Sequence, residues 1–368
     1  MESVTLELRP RLQSLNAYIS LEKNIDTTEI KVKLLEDAIE IQIEDKTYKL
    51  PLCNIKLLPS SLSSLGITNR WISFRIQTQS NSIYGRFETE FISAENQLST
   101  SSTHSLQTVK LPPKGVDCKL LCDCCKNEIT NLVNFQRILP LPSSDCDPQE
   151  WFCCKHDGDE PFSLDPKESD LFYSINYSIL NKHVFQENLK LKNSLIHCNR
   201  CLSILGSSNP KQPRNLKLWN CCIEYELLEN TSANTIKGSL SPLEDFLSTV
   251  KYTADLITGE KLLLEAQDVN SVHYMLLRPM ETKLNVFTED KDNSNDQILN
   301  LKSSFIVKVL YKYGESEKSS KIGDPDIKYC ELALPSILAG MDQLVSSSIR
   351  FPPAYRRAED FYIGYLSL

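Results

Sequence analysis

Glycine is scarce in this sequence, with only 11 among 368 residues. Phosphate-cradling loops are built on glycine backbone, and neither a Gly-x-x-x-x-Gly-Lys-Ser/Thr nor a Gly-x-Gly-x-x-Gly stretch occurs. Histidine is scarcer still, at five, and there is no His-Glu-x-x-His and no Gly-x-Ser-x-Gly. Nucleotide-phosphate chemistry, zincin-type proteolysis and serine-hydrolase chemistry therefore lack their usual supports. An excess of positive charge is also missing. Forty Lys and Arg face 48 Asp and Glu, a net charge of −8, which argues against a broad nucleic-acid face. No apolar run reaches the roughly 18 residues that would cross a bilayer. The opening "MESVTLELRP" alternates and is acidic, unlike a secretory leader. The expectation is a cytoplasmic and nuclear protein with no membrane and no direct nucleic-acid partner.

What the sequence has in abundance is cysteine, 13 in all. In a reducing compartment such a count points to metal or thiol chemistry before a disulfide framework. Every cysteine except Cys53 and Cys330 falls between residues 116 and 225. This concentration marks out a unit. The length exceeds what one core usually holds, and the chain divides accordingly. Residues 1–95 read as a β-rich N-terminal domain. Ile30, Val32 and Leu34 alternate with charged residues, as do Ile39, Ile41 and Ile43, and Ile72, Phe74 and Ile76 repeat the pattern. "PSSLSSLGITN" (59–69) interrupts it and reads as a loop. Residues 96–115, Ser/Thr-rich and ending near Pro-Pro, read as a linker. Residues 116–225 form the Cys-rich zinc module with a partner-binding insertion, and 226–368 a mixed α/β C-terminal region. There, 241–268 reads as mostly helical, with Ser241, Pro242 and Glu244 giving the start signals. A strand is expected over 303–313 and a helix over 334–350, with Gly340 inside it. The fold class is α+β: an N-terminal antiparallel β region, a split zinc-knuckle module and a mixed C-terminal region.

The strongest chemical signal is the pair Cys122-x-x-Cys125 and Cys198-x-x-Cys201, four thiolates sufficient for one tetrahedral zinc. The 72 residues from 126 through 197 separate them, far more than the roughly 15–20 of a compact ribbon. An insertion must loop out and return. Inside it lies "WFCCKHD" (151–157), with Cys153, Cys154 and His156 surplus to the zinc count. Adjacent cysteines of an extended chain face opposite ways, and four readings compete. The trio joins Cys118, Cys124 or Cys146 at a second zinc; a cysteine beside His156 is an activated nucleophile; one sulfur is offered to a metal in a partner; or a free cysteine is packed behind Trp151 and Phe152. His197 adjoins the second pair and is an alternative ligand to Cys198. Cys330, in an apolar flank, reads first as a packing residue and second as a catalytic thiol.

"LCDCCKNEI", "FQRILPLPSSD", "EWFCCKHD" and "IHCNRCLSILG", followed by the tail "FPPAYRRAEDFYIGYL" and preceded by "IKLLPSSL" (55–62), resemble the ordered landmarks of the HECT-like E3 ubiquitin-protein ligase D family. Its members are also called E2C-binding proteins and include fungal relatives named for cleavage and polyadenylation. The resemblance implies two roles. In one, the protein binds and restrains the zinc-dependent, metallo-β-lactamase-fold endonuclease of pre-mRNA 3′-end cleavage and polyadenylation. The family's segment around 138–162 then approaches the nuclease active site, which places Ile138, Leu139, Pro140, Leu141, Pro142, Trp151, Cys153, Cys154 and His156 at the interface and puts Cys154 forward as a ligand to the nuclease zinc. A soft thiolate there would displace the water such a nuclease needs. "RILPLP" is polyproline-II-biased and suits a groove. In the alternative role, the protein is an E3 ubiquitin ligase accepting ubiquitin from a C-type E2 as a thioester, or recruiting that E2. Cys330 is the remaining thioester candidate, 38 residues from the end (368 − 330) and without the local pattern of a HECT nucleophile. A zinc-stabilised adaptor with another partner is a third reading.

Overall fold

The computed structural model describes residues 1–24, 29–79, 109–141, 165–185, 187–210, 212–229, 232–254, 259–290, 297–316 and 327–368. Among these, the N-terminal stretch supplies β1 (Ser3–Arg9), β2 (Ser14–Ser20), β3 (Ile30–Leu34), β4 (Ala38–Ile43), β5 (Lys46–Pro51), β6 (Leu57–Thr68) and β7 (Trp71–Thr78). The Cys-rich stretch supplies β8 (Asp117–Cys122), β9 (Val133–Asn134), β10 (Arg137–Pro140), β11 (Asp170–Tyr173), β12 (Tyr177–Asn181), β13 (Leu189–Lys192), β14 (Leu195–Cys198), β15 (Ile204–Ser208), β16 (Asn215–Trp219) and β17 (Ile223–Glu229). The remainder gives β18 (Ser232–Lys237), α1 (Pro242–Thr253), β19 (Lys261–Gln267), β20 (Val272–Glu289), β21 (Leu301–Ser316), β22 (Ile327–Glu331), α2 (Leu334–Ser348), β23 (Arg357–Ala358) and β24 (Phe361–Leu366). The class is α+β, weighted strongly to sheet.

Four sheets organise these strands. A ten-stranded sheet runs β23-β24-β21-β20-β1-β2-β7-β6, with β19 on β20 and β22 on β19. It draws on both ends of the chain, because β1 pairs antiparallel with β20 from Thr5↔Thr288 to Leu8↔Asn285. The β3-β4-β5 sheet packs on it: Ile30, Ile39, Ile41 and Leu50 share a core with Leu6, Ile19, Ile72 and Phe74. The alternation read in those segments is the cause, one face apolar and one solvated. At the other end α1 and α2 cover the sheet, Phe246, Ile337 and Leu344 packing on Leu264, Met275 and Val309. Ser241 caps α1 by accepting from Glu244 N at 3.2 Å, with Pro242 in the first turn.

Two expectations need correction. Residues 59–69 are not a loop but most of β6, paired with β7 through two register shifts. The bulges let a Ser-rich, largely exposed strand form the edge of the sheet among the described residues. The helix expected over 241–268 ends at Thr253, and Lys261–Gln267 is β19. Its consecutive Leu262, Leu263 and Leu264 are all buried, since β19 lies between β20 and β22 and is covered on both faces. A short buried strand loses the alternation that would separate it from a helix.

The Cys-rich stretch forms the other two sheets, a seven-stranded one in order β10-β11-β12-β16-β15-β14-β13 and a four-stranded one, β18-β17-β8-β9. One hydrophobic core spans both, including Cys118, Leu120, Phe135, Leu180, Leu205 and Tyr225.

Candidate metal centre

The two Cys-x-x-Cys turns are built alike. Each follows a strand end, β8 closing at Cys122 and β14 at Cys198. In the first, Cys122 N donates to Asn127 O at 2.9 Å and Lys126 N donates to Cys122 O at 2.8 Å. In the second, Cys198 N donates to Ser203 O at 3.0 Å and Leu202 N to Cys198 O at 2.9 Å. The residue after each second cysteine is left-handed, Lys126 at φ 56° and Leu202 at φ 62°. The matching pattern turns the sulfurs of each pair to one side.

Because β8 and β14 belong to different sheets, the turns meet across the shared core. Cys122 Sγ lies 3.7 Å from Cys201 Sγ, and Cys125 Sγ 3.6 Å from Cys198 Sγ. All four sulfurs lie within 4.8 Å of one another. Zinc–sulfur bonds of about 2.3 Å imply tetrahedral edges of about 3.8 Å, so the donor set and its spacing fit zinc. The 72-residue separation follows from this arrangement: the intervening chain contributes β9 to β13, strands of the sheets that the sulfurs join.

The electrostatics favour a cation. Burial pushes the Cys122 and Cys125 thiols up. At Cys201 burial also acts upward, but hydrogen bonds from the Ser203 hydroxyl and backbone and from Cys125 and Cys122 prevail, holding it down at about 6. Four sulfurs this close cannot all ionise without a positive centre, which a divalent metal supplies. Two neighbours went unread in the sequence: Ser203 Oγ, 3.2 Å from Cys201 Sγ, and Asn127 Nδ2, 3.9 Å from Cys198 Sγ. Each stands two residues after the second cysteine of its pair, a small polar residue at the same offset, and that repetition was the available signal. His197 does not join the cluster; its Nδ1 lies 3.0 Å from Leu202 O. Cys118 is buried in the core and Cys124 exposed, so neither completes a second cluster among the described residues.

Comparison with known proteins adds to this geometry. The family model described as HECT-like ubiquitin-conjugating enzyme (E2)-binding matches residues 7–363. The chain belongs to the HECT-like E2-binding family. Relatives include the D-type E3 ubiquitin-protein ligase of Rattus norvegicus, 26% identical over 216 residues, and that of Mus musculus, 27% identical over 216 residues. In each case the match covers 56% of this chain and 51% of the relative. The chain thus spans about half the length of the curated relatives it matches. No solved structure matches it.

For a member of the HECT-like E2-binding family, the environment of Cys330 is pertinent. It lies in β22, opposite Leu264 of β19 and packed against the core under α1 and α2. Burial pushes its thiol up to about 11, against a smaller opposing pull from Lys217. It is thus a poor nucleophile as placed. Ile138, Leu139 and Pro140 lie in β10, parallel to β11 at the edge of the seven-stranded sheet, and Leu141 N continues the pairing to Tyr173 O at 2.8 Å. This is strand, not polyproline II. Arg137 fixes it by donating from Nε to Asp170 Oδ1 at 2.8 Å and from its terminal nitrogen to Oδ2. Pro142, Cys146, Trp151, Cys153, Cys154 and His156 lie outside the described residues.

Proposed function

We propose that this chain is a zinc-stabilised E2-binding protein of ubiquitin transfer, which recruits a charged E2 and does not take ubiquitin on Cys330. The observation that carries the reading is the family match across residues 7–363. The relatives' description as E3 ubiquitin-protein ligases supports it. Burial of Cys330 supports recruitment over a thioester on that residue, because a thiol held near 11 is protonated at neutral pH. The Cys122, Cys125, Cys198 and Cys201 cluster holds the zinc that ties the two Cys-rich sheets together.

The test is incubation with a ubiquitin-charged C-type E2, followed by non-reducing electrophoresis and a binding measurement. Expected are saturable E2 binding, no reducible ubiquitin adduct on this chain, and wild-type behaviour of Cys330→Ala. An adduct mapped to Cys330, or absence of E2 binding, would overturn the reading.

One observation favours a second role. Leu139 is exposed on β10, which is an edge strand among the described residues and precedes the Cys-Cys-x-His segment in sequence. A strand edge with an exposed apolar residue suits addition of a partner strand. In this reading, Cys153 or Cys154 reaches the active-site zinc of the metallo-β-lactamase-fold endonuclease of pre-mRNA 3′-end processing and holds it inactive. Cys154→Ser should then weaken binding and relieve inhibition without unfolding the chain. Unchanged inhibition in both Cys153→Ser and Cys154→Ser would exclude the role.

A further inference from the structure

No reading above uses the adjacent pair Cys221 and Cys222. In an extended chain their sulfurs would point to opposite faces. Here they lie in a 3-10 turn, Asn220–Cys222, between β16 and β17. Three residues per turn bring neighbouring side chains nearer in direction than a strand does, and the two Sγ atoms lie 3.9 Å apart. Both residues are only partly buried, so a small solute reaches the pair.

The turn sits at a junction. It links the seven-stranded sheet to the four-stranded one. Asn220 pins it, accepting from Ser178 Oγ at 2.9 Å and donating to Ser174 O and Ile175 O, both at 3.3 Å. Cys221 faces both helices. Its Sγ lies 3.4 Å from Ser336 Oγ in the first turn of α2, and its thiol donates to the carboxyl of Asp245 in the first turn of α1. Asp245 is only 5% exposed, and its Oδ2 has no hydrogen-bond partner among the described residues. A buried carboxyl with an oxygen to spare, within hydrogen-bond reach of a thiol, is placed to take its proton.

The two sulfurs are not equivalent. The hydrogen bond with Cys222 and burial push the Cys221 thiol well up, so Cys221 keeps its proton and Cys222 is the sulfur that attacks first. Neighbouring Cα atoms lie about 3.8 Å apart across a peptide bond, short of the roughly 4.4–6.8 Å of an ordinary disulfide. A bond between these sulfurs is therefore strained and readily reduced, the labile and regulatory kind.

We propose that Cys221 and Cys222 form a reversible oxidation site for hydroperoxides, whose closure releases Cys221 from α1 and α2. Cys222, as thiolate, attacks the hydroperoxide. An S–O bond forms, the O–O bond breaks, and the departing oxygen takes up the proton that the Cys222 thiol released to solvent. Cys222 is then a sulfenic acid. Cys221 gives its proton to Asp245 and attacks the Cys222 sulfur. The S–S bond forms as the S–O bond breaks, and hydroxide leaves as water with the proton from Asp245. With hydrogen peroxide, two thiols are oxidised to one disulfide and the peroxide is reduced to two waters.

The test uses the full-length, zinc-loaded protein, treated with a small excess of hydrogen peroxide, blocked at its free thiols and digested with trypsin. Cleavage after Lys217 and Lys237 releases residues 218–237, which hold Cys221 and Cys222 and no other cysteine. This peptide should emerge unblocked and two hydrogens lighter, and dithiothreitol should restore it. The oxidised protein should melt a few degrees below the reduced one, while Cys222→Ala treated in the same way should melt unchanged. Cys221→Ser should stop at the sulfenic acid on Cys222, trapped as a dimedone adduct. Asp245→Asn should close the disulfide about tenfold more slowly, because the amide takes no proton. The wild-type measurement decides the matter even where a variant fails to fold. A 218–237 peptide that stays fully blocked while peroxide is consumed would overturn the proposal. Identical melting of the oxidised and reduced proteins, or closure at the wild-type rate in Asp245→Asn, would count equally against it.

Discussion

Cys124 stands between two cluster cysteines yet is exposed, and Cys198 is fully buried in the core. The pair separates metal binding from cysteine content. Cys198→Ser should lose stoichiometric metal and lower the melting temperature together, because a structural zinc site contributes folding free energy directly. Cys124→Ser should keep the metal and change stability by no more than about 0.5 kcal/mol. Metal analysis and thermal unfolding of both variants decide the matter, and full zinc retention in Cys198→Ser would refute this ligand set. Asp245 gives a second residue-level prediction. Burial pushes its carboxyl up to about 7, against hydrogen bonds from Ser239 and Cys221. An acid whose folded pKa is raised binds more protons folded than unfolded, so its contribution falls as pH rises between about 4 and 7. Asp245→Asn should remove a loss on the order of 3 kcal/mol across that window. Urea unfolding of both proteins at pH 5 and pH 7.5 measures it; equal pH slopes would argue against the assignment. Residue identity and spacing alone put the four sulfurs together on paper. Ser203 and Asn127 were legible only as a repeated offset, because their role depends on left-handed turns at Lys126 and Leu202, which glycine does not mark.

Helix α2 contains a glycine for a packing reason. A Cβ at Gly340 would lie 2.4 Å from the Phe246 ring, which is fully buried on α1. The two helices therefore approach as closely as they do because that side chain is missing. Gly340→Ala would gain about 1 kcal/mol of helix propensity but would overpack the contact by roughly 1–3 kcal/mol. The net expectation is destabilisation of about 1 kcal/mol by chemical denaturation, and a stabilised variant would show that the ring yields freely. Elements with one solvated face were readable: β3, β4, β7 and the capped start of α1 follow directly from period and cap. The unreadable ones fail for opposite reasons. β6 is too polar to look like a strand because it forms an exposed edge, and β19 is too apolar to alternate because it is covered on both faces.

At the scale of the molecule, the N-terminal strand is held inside a sheet made mostly of C-terminal strands, and no local pattern announces such a pairing. Its polar fastening is buried. Glu7, with no exposure, accepts from Lys308 Nζ at 2.6 Å and from Tyr365 OH at 2.6 Å, so one carboxylate joins β1, β21 and β24. Lys308 also lies 5.1 Å from the Phe351 ring centre. On the same sheet Arg350, just beyond α2, donates to Val4 O at 2.8 Å and Thr5 Oγ1 at 3.0 Å. Taking Glu7 away leaves the buried Lys308 without its carboxylate, a loss of roughly 3–5 kcal/mol, whereas taking Lys308 away leaves Glu7 with Arg9 at 3.6 Å and Asn16 at 3.3 Å. Glu7→Gln should fall in that range and Lys308→Met below it. The double variant should cost clearly less than their sum, because no isolated charge remains. Guanidinium unfolding of the four proteins gives the coupling. A coupling near zero would mean that backbone pairing and apolar packing hold the three strands without help from this ion pair, whereas a large one makes Glu7 the polar joint between the two ends of the chain.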